Sequence, residues 1–154
     1  MSKAFKELGS YAVLLADDSE ADRALIRDAM RNNPRMMVVG EARDGEEVIS
    51  YLTRSKGFSS PTKPTQPDLL LLDLRMPRKS GYDVLGWLQT QSFKNMLVVV
   101  LAGSSLPEDY ERCMALGAHA YYVKIPQREP RLEMVRSIET LLDLAHEGAR
   151  CAVK

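Results

Sequence analysis

The chain contains the stretch Tyr11-Ala12-Val13-Leu14-Leu15-Ala16-Asp17-Asp18, a strand-like apolar run that ends in two carboxylates. A continuous apolar run of this length is typical of a strand buried on both faces of a parallel sheet. The same pattern recurs at Leu69–Leu72, which ends in Asp73, and at Ala120–Val123, which ends in Lys124. Charged groups are costly in a core and useful at its rim, so these positions predict a site at one edge of a sheet.

Five strand-like segments alternate with five helix-like segments along the chain. The two further strands are expected at Met36–Glu41 and Met96–Leu101. Strands separated by helices predict βαβ units, right-handed crossovers and a parallel sheet. Five repeats fit an α/β fold of the flavodoxin-like kind, a doubly wound five-stranded parallel sheet of order 2-1-3-4-5 with helices on both faces. Strands one and three are neighbours in that order, so Asp17, Asp18 and Asp73 are expected to meet.

Capping residues and breakers predict where the helices lie. Ser19 is the expected N-cap of the first helix, whose inward face would carry Leu25, Ile26, Ala29 and Met30. The third helix is expected over 81–91, and the last carries an apolar stripe: Leu132, Val135, Ile138, Leu141, Leu142 and Ala145. No pattern continues beyond that stripe. We therefore expect a domain over residues 11–147, an N-terminal extension over 1–10 and a C-terminal tail over 148–154.

Length and composition indicate one ordinary globular domain. The chain has 154 residues, 45% of them hydrophobic, and balances 21 basic against 21 acidic side chains. Such a balance gives no global field that would attract nucleic acid or a membrane surface, so neither is an expected partner. No apolar run approaches the roughly 18 residues of a membrane span, and two cysteines form neither a zinc motif nor a disulfide framework. A cytoplasmic protein is the expectation.

The charged residues at the strand ends suit phosphoryl chemistry. Three neighbouring carboxylates repel one another, and a hard divalent cation relieves that repulsion. Oxygen ligands together with a phosphate oxygen are what Mg²⁺ prefers, so Mg²⁺ is the expected cofactor. Asp73 is the best candidate for a nucleophile, because a carboxylate can form an aspartyl-phosphate. Lys124 would neutralise charge on the phosphoryl oxygens.

Three strings of residues resemble a known family. Ala16-Asp17-Asp18-Ser19, Leu72-Asp73-Leu74-Arg75-Met76-Pro77 followed by Gly81, and Val123-Lys124 are similar to the motifs of the receiver domain of response regulators in bacterial two-component systems. Their order and spacing agree along roughly 11–144. The resemblance implies a CheY-like fold. The long loop before strand three and the lack of a recognisable output domain resemble the single-domain regulators that partner phytochrome-type histidine kinases.

The resemblance assigns a role to each residue of the site. Asp73 matches the phospho-acceptor, which takes a phosphoryl group from a phosphohistidine of a histidine kinase or histidine phosphotransfer protein. Asp18 and Asp73 would bind Mg²⁺ directly, Asp17 would act through water, and the backbone carbonyl of Arg75 would add a ligand. Lys124 matches the lysine that contacts the phosphoryl group. The family implies no enzymatic activity beyond self-catalysed phosphoryl acceptance, and its fourth helix, fifth strand and fifth helix are the natural homodimer face.

The chain departs from the family at the residues that report phosphorylation. Tyr121 matches the aromatic switch residue, but the Thr or Ser expected at the end of strand four is Ala102. Ser104 and Ser105 follow, in the wrong register for a simple replacement. Loss of one charge-assisted hydrogen bond, worth roughly 1.5–3 kcal/mol, would weaken the switch. A phosphorylation-independent adaptor with a degenerate receiver fold is therefore the alternative function.

Two further functions fit the sequence less well. A phosphatase of the haloacid-dehalogenase type also uses a strand-end aspartate, but needs a second aspartate two residues on, where this chain has Arg75. A nucleotide- or flavin-binding module would need a phosphate-cradling loop after strand one. Asp17 and Asp18 stand there and would repel a phosphate in the absence of a metal.

Overall fold

The computed structural model describes residues 9–56, 64–93 and 95–152. Five strands alternate with five helices in this part of the chain. The strands are β1 (Tyr11–Ala16), β2 (Met36–Ala42), β3 (Leu69–Leu72), β4 (Leu97–Ala102) and β5 (Ala120–Val123). The helices are α1 (Glu20–Met30), α2 (Gly45–Ser55), α3 (Gly81–Gln89), α4 (Pro107–Ala115) and α5 (Arg128–Ala152).

The strands form one sheet with the order β2-β1-β3-β4-β5, and all four pairings are parallel. This order confirms the predicted doubly wound fold. The last residues of β1 and β3, Ala16 and Leu72, lie opposite each other, and Ala102 lies opposite Val123. The residues that follow these strands therefore emerge at the same edge of the sheet, as the sequence pattern requires.

Alternate residues of each strand face two separate cores. One core contains Leu14, Leu70 and Val100, and packs against residues from α2, α3 and α4. The other contains Val13, Leu71 and Val99, and packs against residues from α1 and α5. Because both faces of the sheet are covered, its central strands are apolar throughout, which is the pattern seen in the sequence.

Three predictions about the helices need correction. Leu25 is 40% exposed although it was expected to face inward, because it stands one residue before the buried Ile26 and so points about 100° away around α1. Ala145 of the predicted apolar stripe is exposed as well. Met134, which the stripe did not include, is buried in the core that contains Val13, Leu71 and Val99. The backbone of α5 continues to Ala152, so residues 148–152 extend the helix instead of forming a patternless tail. The expected extension lies mostly outside the described residues.

None of the helices among the described residues has the length and apolar character that crossing a membrane requires.

A close backbone approach fixes the start of α3 beside Asp73. The backbone N–H of Gly81 donates to the carbonyl of Leu74 at 2.9 Å. A Cβ atom at Gly81 would lie 2.4 Å from the carbonyl oxygen of Asp73 and 2.8 Å from the Cα of Leu74. Only glycine fits there without moving the loop that carries Asp73.

We expect Gly81→Ala to lower the free energy of unfolding by about 1–3 kcal/mol, because backbone atoms must shift to admit the methyl group. Gly86→Ala in the same helix is the matched control, since nothing lies within 4 Å of its added Cβ. Alanine there should raise stability by about 0.5–1 kcal/mol. Urea denaturation of both variants measures the two effects, and equal shifts in the two variants would contradict the close-approach argument.

Candidate functional site

Asp17 and Asp73 are held by backbone hydrogen bonds that continue the sheet. The N–H of Asp17 donates to the carbonyl of Ala42 at 3.0 Å, and the N–H of Asp73 donates to the carbonyl of Ala16 at 2.9 Å. The carboxylate of Asp17 also accepts the N–H of Ser19 at 2.9 Å, which fixes the turn between β1 and α1. The backbone positions of both carboxylate residues are therefore set by the sheet.

The three predicted carboxylates lie together. One carboxylate oxygen each from Asp17, Asp18 and Asp73 lies within 4.8 Å of the other two. Asp17 and Asp73 are buried, at 4% and 5% exposed, whereas Asp18 is exposed. An all-oxygen set that is open on one side fits a hard divalent cation that keeps some of its waters.

Lys124 reaches over this cluster from the end of β5. Its backbone N–H donates to the carbonyl of Ala102 at 2.7 Å, which anchors the residue to β4. Its Nζ lies 2.8 Å from Oδ2 of Asp17 and 3.5 Å from Oδ1 of Asp73. The ammonium is thus close enough to reach a group bound to Asp73.

Burial and like charges perturb the ionisation of Asp73. Desolvation raises its pKa to about 6, the charge of Asp17 adds to this, and the ammonium of Lys124 opposes it. Burial works against the charge on Lys124, but hydrogen bonds to its carboxylate neighbours outweigh burial and raise its pKa. At neutral pH the site therefore holds an ionised Asp73, whose charge is destabilised by burial, and a protonated Lys124.

Two residues of the site were missed in the sequence. Oδ2 of Asp22, in the first turn of α1, lies 2.8 Å from Nζ of Lys124. Arg23 is buried, donates to the carbonyl of Asp17 at 2.5 Å and pairs with Glu41 at 2.9 Å. Arg23 thereby ties the turn that carries Asp17 and Asp18 to α1 and β2. In the sequence Asp22 indicates only helix capping, because Lys124 lies 102 residues away.

The residues predicted to act as a switch lie at the end of β4, in the loop that follows it and in β5. Ala102 is 2% exposed. The hydroxyl of Tyr121 donates to the backbone carbonyl of Ser104 at 2.6 Å. The hydroxyl of Ser104 donates to Asp109 of α4 at 2.5 Å and accepts the N–H of Leu106 at 3.1 Å. This hydroxyl is engaged with α4, which argues against Ser104 as a simple replacement for the missing one.

Asp109 joins three segments of the chain. Besides Ser104 it accepts a hydrogen bond from the hydroxyl of Tyr82 in α3 at 2.6 Å. The hydroxyl of Ser104, followed by that of Tyr82, holds the pKa of Asp109 below its usual value.

Two other residues named in the sequence analysis, Ser105 and Arg75, have exposed side chains.

The comparisons with known proteins agree with this geometry. The family model described as the response regulator receiver domain matches residues 13–136. The response regulator Rcp1 of Synechocystis sp. (strain PCC 6803) is 29% identical over 129 residues, which cover 83% of this chain and 86% of Rcp1. The nitrate/nitrite response regulator NarL of Escherichia coli (strain K12) is 31% identical over 137 residues, 89% of this chain but 54% of NarL.

Two solved structures are similar over most of the chain. The phosphorylated cyanobacterial phytochrome response regulator RcpA is 32% identical with a TM-score of 0.71, covering 84% of this chain and 91% of RcpA. The Mn²⁺-bound form of Rcp1 is 28% identical with a TM-score of 0.68, covering 84% of this chain and 92% of the other. By its sheet order, its acidic cluster and these matches, the chain belongs to the response regulator receiver domain family.

Proposed function

We propose that this protein is a phospho-accepting response regulator that takes a phosphoryl group onto Asp73 from a phosphohistidine of a histidine kinase or histidine phosphotransfer protein. The observation that carries the proposal is the placement of a buried Asp73 beside Lys124, at 3.5 Å, and within a three-carboxylate cluster. The alternative, a phosphorylation-independent adaptor, gains no support over it, because acceptor, acidic cluster and lysine lie together.

The chain's own residues suit the transfer step. A carboxylate oxygen of Asp73 attacks the phosphorus, an O–P bond forms and the P–N bond to the donor imidazole breaks. The electron pair of that bond leaves with the imidazole nitrogen, which takes a proton from water. Lys124 donates a hydrogen bond to a phosphoryl oxygen and stabilises the negative charge there. Asp73 remains ionised near neutral pH, because its pKa is about 6.

The donor set fits Mg²⁺. Asp18 and Asp73 would bind the ion directly, Asp17 would act through water, and the backbone carbonyl of Arg75 would supply another oxygen. When bound, the ion offsets the repulsion among the carboxylates and the phosphoryl oxygens. The solved structure of Rcp1 is a Mn²⁺-bound form, and Mn²⁺ has similar ligand preferences.

The surface around the site suits two kinds of protein contact. Asp22 and the exposed Leu25 border a cleft of about 170 Å³ that reaches Lys124, where the donor protein would approach. Leu106 precedes α4, Tyr110 lies in α4 and Val123 ends β5, and all three are exposed large side chains, which supports a homodimer face formed by α4, β5 and α5.

Labelling by acetyl phosphate tests the proposal. Purified protein incubated with acetyl phosphate and Mg²⁺ is expected to gain the mass of one phosphoryl group, mapped by mass spectrometry to the peptide that contains Asp73. The gain should be absent with EDTA and absent in Asp73→Asn. A wild-type protein that stays unlabelled under conditions that label a known receiver domain would overturn the proposal.

We further propose that phosphorylation is coupled only weakly to Tyr121. Residue 102 has no hydroxyl to contact the phosphoryl group, and the hydroxyl of Tyr121 already bonds the carbonyl of Ser104. Little is left for a bound phosphoryl group to change at that side chain.

Ala102→Thr is therefore expected to strengthen the coupling, because the new hydroxyl adds a charge-assisted hydrogen bond worth roughly 1.5–3 kcal/mol. NMR spectra recorded with and without beryllofluoride and Mg²⁺ measure the effect. In the wild type, shift changes should be confined to the surroundings of Asp73, and in the variant they should extend to Tyr121. Ala102→Val has a similar size without the hydroxyl and serves as the control. Large shift changes at Tyr121 in the wild type would contradict the proposed weak coupling.

A further inference from the structure

Lys124 is held by two carboxylates besides the phosphate acceptor. Its Nζ lies 2.8 Å from both Asp17 and Asp22, and 3.5 Å from Asp73. An ammonium group has three donors, and the two contacts at 2.8 Å occupy two of them, which leaves one for Asp73 or for a group bound to it. A phosphoryl group that takes a second donor of Lys124 must therefore displace Asp17 or Asp22.

Asp22 is the neighbour best placed to be displaced. Asp17 and Asp73 have side chains only 6% and 7% exposed, whereas the side chain of Asp22 is 38% exposed at the rim of the site. When Asp22 releases Lys124, water can solvate its carboxylate at little cost. A buried carboxylate that lost the same partner would be left with an uncompensated charge.

The contact between Asp22 and Lys124 is separate from the capping of α1. Capping uses the backbone N–H of Asp22, which donates to the hydroxyl of Ser19 at 3.2 Å. The hydrogen bonds of its carboxylate in the described part of the chain go to Lys124. The cap alone therefore does not require the carboxylate to stand over the site.

We propose that Asp22 is a positioning residue that holds Lys124 in the unphosphorylated protein and competes with the phosphoryl donor for it. The donor approaches as an anion, so Asp22 opposes it in two ways, by occupying a donor hydrogen of Lys124 and by repelling the anion across the rim. Both effects act on the bound donor, whereas the attacking oxygen of Asp73 is untouched. The inference rests on the proposed phosphorylation of Asp73.

Asp22→Asn is therefore expected to lower the acetyl phosphate concentration that gives the half-maximal labelling rate, by roughly threefold to tenfold, as for the loss of one partly exposed charge interaction. The maximal rate should stay within about twofold. The difference in half-maximal concentration between Asp22→Asn and the wild type should shrink as the salt concentration rises from about 0.05 to 1 M, because salt screens a partly exposed charge. Asp22→Glu restores the charge at the rim and should return the half-maximal concentration toward the wild-type value.

Asp28→Asn is the matched control. Asp28 lies on the same helix with a side chain 42% exposed, and its ion pairs, at 3.9 and 3.8 Å, are with Arg31 and Arg128 instead of Lys124. Thermal unfolding of all variants checks that α1 remains folded. A half-maximal concentration in Asp22→Asn equal to that of the wild type and Asp28→Asn overturns this inference alone. Failure of the wild type to be labelled overturns the proposed function and this inference with it.

Discussion

Replacing Lys124 by methionine is expected to slow the labelling of Asp73 by acetyl phosphate roughly 100- to 1,000-fold, the usual effect of removing one donor to a developing oxyanion. Methionine keeps much of the length of the side chain and removes its charge and its donors. The ammonium lies 3.5 Å from Asp73 in a partly buried setting, where a charge acts more strongly than in water. The measurement is the initial rate of labelling at fixed acetyl phosphate and Mg²⁺.

The affinity for Mg²⁺ separates a chemical role from a damaged site. The ammonium of Lys124 lies 2.8 Å from Asp17 and would repel a cation bound to the carboxylates. Lys124→Met removes this repulsion and should therefore bind Mg²⁺ at least as tightly as the wild type in calorimetric titrations. A collapsed cluster would instead bind it more weakly. Lys79→Met is the control, since Lys79 is an exposed lysine of the loop that follows Asp73. Labelling of Lys124→Met at a rate within a few-fold of the wild type would contradict the assigned role.

The fold could be predicted from the sequence because both faces of the sheet are buried. Burial on both faces makes runs such as Leu69–Leu72 apolar without alternation, and burial on one face of each helix restores periodicity between them. The positions of the charged residues at the strand ends then follow from the topology. In the order β2-β1-β3 the strands β1 and β3 are parallel neighbours, so Asp17 and Asp73 lie at the same edge of the sheet.

What the sequence did not predict depends on contacts between distant segments. Arg23 is buried because Glu41 and the carbonyl of Asp17 satisfy its guanidinium, and neither partner is visible from the periodicity of α1. The sequence around Asp22 indicates only helix capping, because its partner Lys124 lies 102 residues further along the chain. Ser104 could not be placed either, because its hydroxyl is directed by Asp109 of the following helix.

The end of α5 could not be predicted for a different reason. Periodic burial marks a helix only while one face is covered, and the residues after Leu142 include exposed Leu144 and Ala145. A helix that is already formed extends at little cost per residue, and alanine and arginine favour such extension. The helical backbone therefore outlasts the apolar stripe that predicted it and continues to Ala152.

Asp73→Asn is expected to stabilise the metal-free protein by about 3 kcal/mol at pH 7.5, because the raised pKa of Asp73 reports the cost of ionising it in the folded state. Its pKa is about 6 in the folded protein against a usual value of 3.8. Between these values the folded state binds a proton that the unfolded state has lost, so the wild type loses stability as the pH rises from about 4 to about 6. The variant lacks this loss, and the free energies of unfolding of the two proteins should converge below pH 4.

Urea denaturation in EDTA from pH 4 to pH 7.5 measures the difference, and Asp83→Asn supplies a control of opposite sign. The backbone N–H of Ser80 holds the pKa of Asp83 below its usual value, so that carboxylate favours the folded state at neutral pH and loses this effect as the pH falls. Saturating Mg²⁺ should narrow the gap between Asp73→Asn and the wild type, since the ion binds the folded wild type through a carboxylate that the variant lacks. Equal stabilities in EDTA at pH 7.5 would mean that the ionised carboxylate of Asp73 does not destabilise the fold. A stabilised variant would show that the folded protein keeps an unfavourable charge at Asp73, the residue proposed to accept the phosphoryl group.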